Sequence, residues 1–147
     1  MNVLNYIKNK RIYFDGGFGT LCIDRGLTFN SSVELSLTCP DEVVKIHKEY
    51  INAGANIITA NTFSANCLKY PNNYKKIITK SIELAKIARG NRKDVYVFFD
   101  IGSLGKMIKP FGDLDFEDAI EIFKKSVKVA VKCGVDGIIV ETMNDSY

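Results

Sequence analysis

The chain has 147 residues, 46% of them hydrophobic and 25% charged, and a formal net charge of +3. That is enough chain for one domain with a core, in the composition of an ordinary globular protein. Lysines are interleaved with acids along helical stretches, as on a solvated face, with no concentrated basic stripe carrying aromatics. This excludes a nucleic-acid site, and no apolar run approaches the roughly 20 residues of a membrane span.

A short helix is expected around residues 3–9, then a short apolar strand over residues 12–14. Residues 41–53 read as a helix with Pro40 in its first turn. Its apolar positions Val43, Val44, Ile46, Tyr50 and Ile51 fall largely on one side, and Gly54 stops it. A second strand follows at residues 57–60. Residues 74–89 form a helix through Ile77, Ile78, Ile82, Leu84, Ala85 and Ala88. Residues 95–101 are apolar enough for a strand buried on both faces. The helix over residues 116–132 takes Asp115 as its N-cap and Gly134 as its stop. A fourth strand spans residues 137–140.

Strands separated by helices imply parallel pairing through right-handed crossovers. The spacing predicts strand order 1-2-3-4 with helices on one face. A weak repeat supports this: AGANII at residues 53–58 matches CGVDGII at residues 133–139, each a helix stop, a turn and a strand. The copies lie two units apart, at roughly 40 residues per unit. This is the cadence of a (β/α)8 barrel, which takes about 250 residues. The α/β chain therefore reads as one partial domain over residues 1–147, the first half of a TIM barrel.

The start, MNVLNYIKNKR, has lysines and asparagines where an export signal has its apolar stretch. Cys22, Cys39, Cys67 and Cys133 are scattered, with no CxxC pair. They are expected to be reduced thiols in a cytoplasm. Cys22 and Cys67 are placed in loops at the strand ends, Cys133 in packing at a helix end, and His47 in a packing and hydrogen-bonding role.

Something polar stands where each strand finishes. The first ends in Asp15-Gly16-Gly17, the second in Asn61-Thr62, the third at Asp100, the fourth in Glu141-Thr142. Parallel α/β folds carry their sites at the carboxyl ends of the strands, so Asp15 and Glu141 are candidates to converge on one mouth. The structural alternative stands equal on spacing alone: such acids also cap helices or hold loops, and such glycines also serve tight turns. GGFG makes a poor phosphate loop, having no lysine and no clear helix start after Thr20. A doubly wound receiver-like domain would want a paired acid cluster after the first strand, which is missing.

The ordered set of segments carries a resemblance. They are FDGGFGT at residues 14–20, PDEVVKIHKEY at 40–50, AGANIITANTF at 53–63, DIGSLG at 100–105, PFGDL at 110–114 and GVDGIIVETMND at 134–145. In order and spacing they are similar to the homocysteine-binding domain of the homocysteine S-methyltransferases, most of all the methionine synthase type.

The resemblance implies a methyltransferase that moves a methyl group onto zinc-bound homocysteine to give methionine. It implies that Asp15 and Glu141 hold the substrate ammonium, that the Gly16 and Gly17 amides receive its carboxylate, and that Asn61 lines the same mouth. It places the three cysteine ligands of the zinc in the second half of the barrel, and the adjacent cysteine pair expected there does not occur in this chain. Cobalamin, as a methyl carrier on another domain, is implied for the methionine synthase type; betaine and S-methylmethionine are the alternative donors. The chain is expected to be inactive alone. The alternative is a non-catalytic half-barrel that assembles with itself or with a second chain.

Overall fold

The computed structural model describes residues 3–143. The opening and closing residues, among them the last two of the segment 134–145, lie outside them. The elements run α1 (Val3–Ile7), α2 (Phe18–Asp24), a 3-10 turn (Ser32–Glu34), α3 (Leu35–Thr38), α4 (Pro40–Asn52), β1 (Ile57–Thr59), α5 (Tyr74–Arg89), β2 (Tyr96–Ile101), α6 (Phe116–Lys132) and β3 (Gly137–Val140). The sheet is parallel in the order β1-β2-β3, with Ile57 beside Tyr96 and Phe98 beside Gly137. Crossovers through α5 and α6 fit the (β/α) cadence of the sequence. Among the described residues no helix is long and apolar enough to cross a membrane.

The expected first strand is the main correction. It is present as a single bridge, Phe14 to Ile57, on the outer side of β1. Its ladder starts normally: Ile57 N–H donates to the Tyr13 carbonyl at 3.1 Å, and Asp15 N–H donates to the Ile57 carbonyl at 2.9 Å. The next rung is taken by a side chain, because Thr59 N–H donates to Asp15 Oδ2 at 2.7 Å. A carboxylate stands where a strand carbonyl would, so pairing ends there.

Strand parity separates two environments. Ile58, Val97 and Phe99 face the helices and are buried against Ile77, Ile78, Ile82 and Ala85 of α5. Each such side chain is worth roughly 1.5–3 kcal/mol. α5 packs between α4 and α6. On the other face Ile57 and Tyr96 meet Val3 of α1 near the strand starts, with Phe98 at the margin. The layers of a complete barrel would put Ile58, Phe98 and Ile139, or their neighbours, on an open side. Ile58 is instead fully buried under the helices, while Phe98 and Ile139 stay half-buried on the other face. The helix side of β3 is poorly covered: Ile138 is 40% and Val140 60% exposed.

The repeat proves to be a register device. Asn56 N–H donates to the Tyr13 carbonyl at 2.8 Å, and Tyr13 N–H donates back to Asn56 Oδ1 at 3.3 Å. Asp136 N–H donates to the Val97 carbonyl at 2.8 Å, and Val97 N–H donates back to Asp136 Oδ2 at 2.8 Å. In each copy a residue just before a strand brackets a residue of the preceding strand. Gly54 and Gly134, with φ of +107° and +69°, make the turns into these brackets.

Three smaller expectations change. Asp115 occupies the N-cap position of α6 but makes no side-chain cap; its carboxylate pairs with Lys109 at 2.9 Å. Cys22 is fully buried inside α2 instead of lying in a loop, because a helix starts directly after Gly17. His47 is packed as expected, 5.3 Å from the Phe18 ring, yet neither ring nitrogen has a hydrogen-bond partner. Burial holds it neutral, with its pKa pushed down to about 4.

Candidate functional site

A cavity of about 610 Å³ opens at the carboxyl ends of the strands. Asp15, Gly16, Gly17, Asn61 and Glu141 all line it, with Thr59, Thr62 and Asp100. Parallel strands put their ends on one side, so residues more than 120 positions apart in sequence reach one space.

Asp15 is held by Thr59, whose amide donates to Oδ2 at 2.7 Å and whose hydroxyl donates to Oδ1 at 3.1 Å. Burial outweighs these bonds and the carboxyl pKa rises to about 6, with the negative charge of Glu141 adding to the rise. Gly16 and Gly17 follow in a segment tucked under Tyr50, whose hydroxyl donates to the Gly17 carbonyl at 3.2 Å. A Cβ on Gly16 would stand 3.1 Å from that hydroxyl, so the close approach favours glycine. Among the described residues, neither glycine amide has an internal partner.

Asn61 lies against the cavity wall but turns its amide nitrogen inward. It donates to the Ser32 carbonyl at 2.6 Å and to Ser36 Oγ at 3.3 Å. Its own carbonyl accepts from Ser81 Oγ at 2.9 Å. These bonds tie the end of β1 to the 3-10 turn, to α3 and to α5. Glu141 follows β3, exposed at the rim, its backbone N–H bonded to the Ile101 carbonyl at 3.0 Å.

Two residues were marked by sequence only as strand-end polar groups. Thr62 is fully buried; its hydroxyl donates to the Asp100 carbonyl at 2.9 Å and accepts from the Asp100 amide at 3.1 Å. Asp100 is 7% exposed, and burial raises its pKa to about 7, with the charge of Glu141, a carboxyl–carboxylate hydrogen bond to Glu141 and then the charge of Asp15 adding to the rise. The available signal was an acid at an inner-face position of the otherwise apolar YVFFDI strand.

No group of three or more His, Cys, Asp or Glu among the described residues is arranged to hold a metal ion, the trio of acids at the mouth included. Cys22 is sealed in α2, Cys39 precedes α4, Cys133 ends α6, and Cys67 lies in the loop after β1. The described side chains do not fit the zinc that the resemblance implies.

The family model for homocysteine S-methyltransferase matches residues 12–147. The chain belongs to the homocysteine S-methyltransferase family. Among solved structures, it is similar to the homocysteine methyltransferase MmuM from Escherichia coli in three forms. The metallated form superposes with a TM-score of 0.82 at 20% identity, over 96% of this chain and 57% of that one. The oxidized form gives 0.76 at 20% identity, over 94% and 56%. The apo form gives 0.69 at 23% identity, over 90% and 49%. The homocysteine S-methyltransferase fold is thus present, and the chain spans about half the length of the relatives it matches.

Proposed function

We propose that this chain forms the amino-acid-binding half of a homocysteine S-methyltransferase barrel of the methionine synthase type. Asp15 and Glu141 hold the substrate ammonium by charge-assisted hydrogen bonds. The Gly16 and Gly17 amides receive its carboxylate, as successive backbone N–H groups do in an anion nest. Asn61 supports the wall. The carrying observation is that all five residues, chosen from sequence and resemblance, line one cavity at the strand ends.

The reaction of the completed barrel is methyl transfer to the homocysteine sulfur. A new C–S bond forms as the donor's bond to the methyl breaks, and the thiol proton leaves. Thiol activation, by zinc as the resemblance implies, and the methyl donor, a methylated cobalamin for this type, come from outside this chain. The chain alone is inactive in this reading, and a cytoplasmic setting suits its free thiols.

The test is calorimetry with homocysteine on the chain and on a barrel completed by a second half. Asp15→Asn and Glu141→Gln should each weaken binding at least about tenfold, as expected when one charged partner of a hydrogen-bonded pair is removed. Tight binding to the completed barrel that neither change affects would sink the assignment of both residues.

A second reading is favoured by one observation. The exposed helix side of β3, at Ile138 and Val140, invites association. The chain then works as an assembly unit, completed by the missing half-barrel or by a second copy. Sedimentation over a concentration series, of the chain alone and mixed with the second half, tests it, since a monomer in every case contradicts it.

A further inference from the structure

We propose that Asp100 is a third carboxylate of the ammonium seat, contacting the substrate amino group through its free Oδ1 alongside Asp15 and Glu141. The inference rests on the homocysteine reading and deepens it.

Asp100 is 93% buried and its Oδ1 accepts from no N–H or hydroxyl donor; its carboxyl lies within hydrogen-bonding reach of the Glu141 carboxyl, a contact that needs a proton or a cation between the two. A buried carboxylate oxygen without a donor is costly, and such groups in native structures call for an explanation. The usual structural explanation is a cap. It fails here, because the next helix, α6, begins at Phe116, well along the chain. The side chain is also aimed by its backbone. Thr62 bonds both the Asp100 amide and its carbonyl, which fixes the end of β2, and strand parity sends the carboxylate to the cavity that Asp15 and Glu141 line.

Burial and like charge around one space make the Asp15 and Asp100 carboxyls resist ionising. The charged groups facing Asp100 are Glu141, from the rim after β3, and Asp15, from the loop beside β1; both disfavour its anion. A cation resolves this conflict. The trio is not arranged for a metal ion. A primary ammonium carries three N–H donors, one for each carboxylate. The seat therefore selects a free primary amine. Its arrival displaces the proton that the crowded acids retain near neutrality.

The probes are L-homocysteine and its des-amino analogue, 4-sulfanylbutanoate, titrated into the 147-residue chain and the completed barrel. Asp100→Asn should lower homocysteine affinity at least tenfold and leave the analogue's affinity unchanged. Near pH 7, homocysteine binding to the parent should release a fraction of a proton, read from buffers of different ionisation enthalpy, and the variant should lose most of that release. If Asp15→Asn discriminates the two probes while Asp100→Asn does not, this inference falls and the homocysteine reading stands. Equal weakening of both probes by Asp100→Asn would mark a structural residue and also overturn it. If the parent binds neither probe in either form, or does not distinguish them, both readings fall. Should Asp100→Asn not fold, the parent decides by carbon NMR of labelled aspartates. The Asp100 carboxyl must then titrate near neutrality in the free protein and ionise with homocysteine but not with the analogue; any other pattern rejects the proposal.

Discussion

The two copies of the repeat fold alike and are buried unlike. Around β1, Ile57 and Ile58 are 2% and 0% exposed; around β3, Ile138 and Val140 are 40% and 60% exposed. Turn, bracket and strand are the same in both. What differs is the neighbourhood. β1 lies between the bridge at Phe14 and β2, under α5, whereas β3 pairs with β2 and leaves Ile138 and Val140 exposed on its helix side. Local sequence sets the turn and the register, and burial comes from whatever packs alongside.

That contrast is easiest to break by truncation. Ile58→Ala should destabilise the chain by roughly 2–5 kcal/mol, the usual cost of emptying a packed site. Ile138→Ala should cost under about 1 kcal/mol, since little area is lost. Urea unfolding of both variants measures the difference. Adding the second half should raise the cost at Ile138 and leave Ile58 unchanged; equal costs in the chain alone would mean that β3 is already covered.

The mouth joins the covered copy to the bare one, and its acids give a pH signature of intermediate size. The Asp100 carboxyl rises from 3.8 to about 7 on folding, so the native state binds this proton more tightly than the unfolded state. Its contribution to stability is therefore complete below about pH 4 and is lost as pH rises through 7. His47 acts in the opposite sense: lowered from 6.5 to about 4, it costs nothing above pH 6.5 and destabilises as pH falls. The difference between Asp100→Asn and the parent isolates the carboxyl. The variant should gain on the order of 3 kcal/mol on the parent between pH 4 and pH 8. A flat difference in thermal melts across that range contradicts the burial argument.

The smallest expected effect tests the brackets themselves. Asp136→Ala removes a charged acceptor from the Val97 amide and from Arg89, which pairs with it at 2.9 Å. Asn56→Ala removes the weaker 3.3 Å bond to Tyr13. Losses of about 1–2 and about 1 kcal/mol are expected, with hydrogen exchange rising at Val97 and Tyr13 respectively. Protection unchanged at both amides would deny the brackets a role in register.

The long helices were legible to the residue: residues 74–89 and 116–132 are α5 and α6 as found. Their apolar period is long enough to dominate, and glycines stand just beyond their ends. The first strand was not, because its ladder is cut by the Asp15 side chain, a tertiary event that no propensity carries. Asp15 and Glu141 stood out as strand-end acids, the family resemblance added Gly16, Gly17 and Asn61, and all five line one cavity because parallel strands gather their ends. Asp100 was not singled out, since one acid at a strand end looks the same whether or not its oxygen finds a donor. His47 shows the converse: its packing followed from the helix period, and its unbonded nitrogens did not.

The brackets sit before the strands and the mouth lies after them. Asn56 and Asp136 secure register before the strands, independently of the bonds that Asp15 and Thr62 make at the mouth. Such a division makes the scaffold evolvable. Mouth loops can be exchanged, lengthened or grafted to admit a different amine or thiol while the strands keep their alignment, and a designer seeking new specificity would leave the two bracketing residues alone.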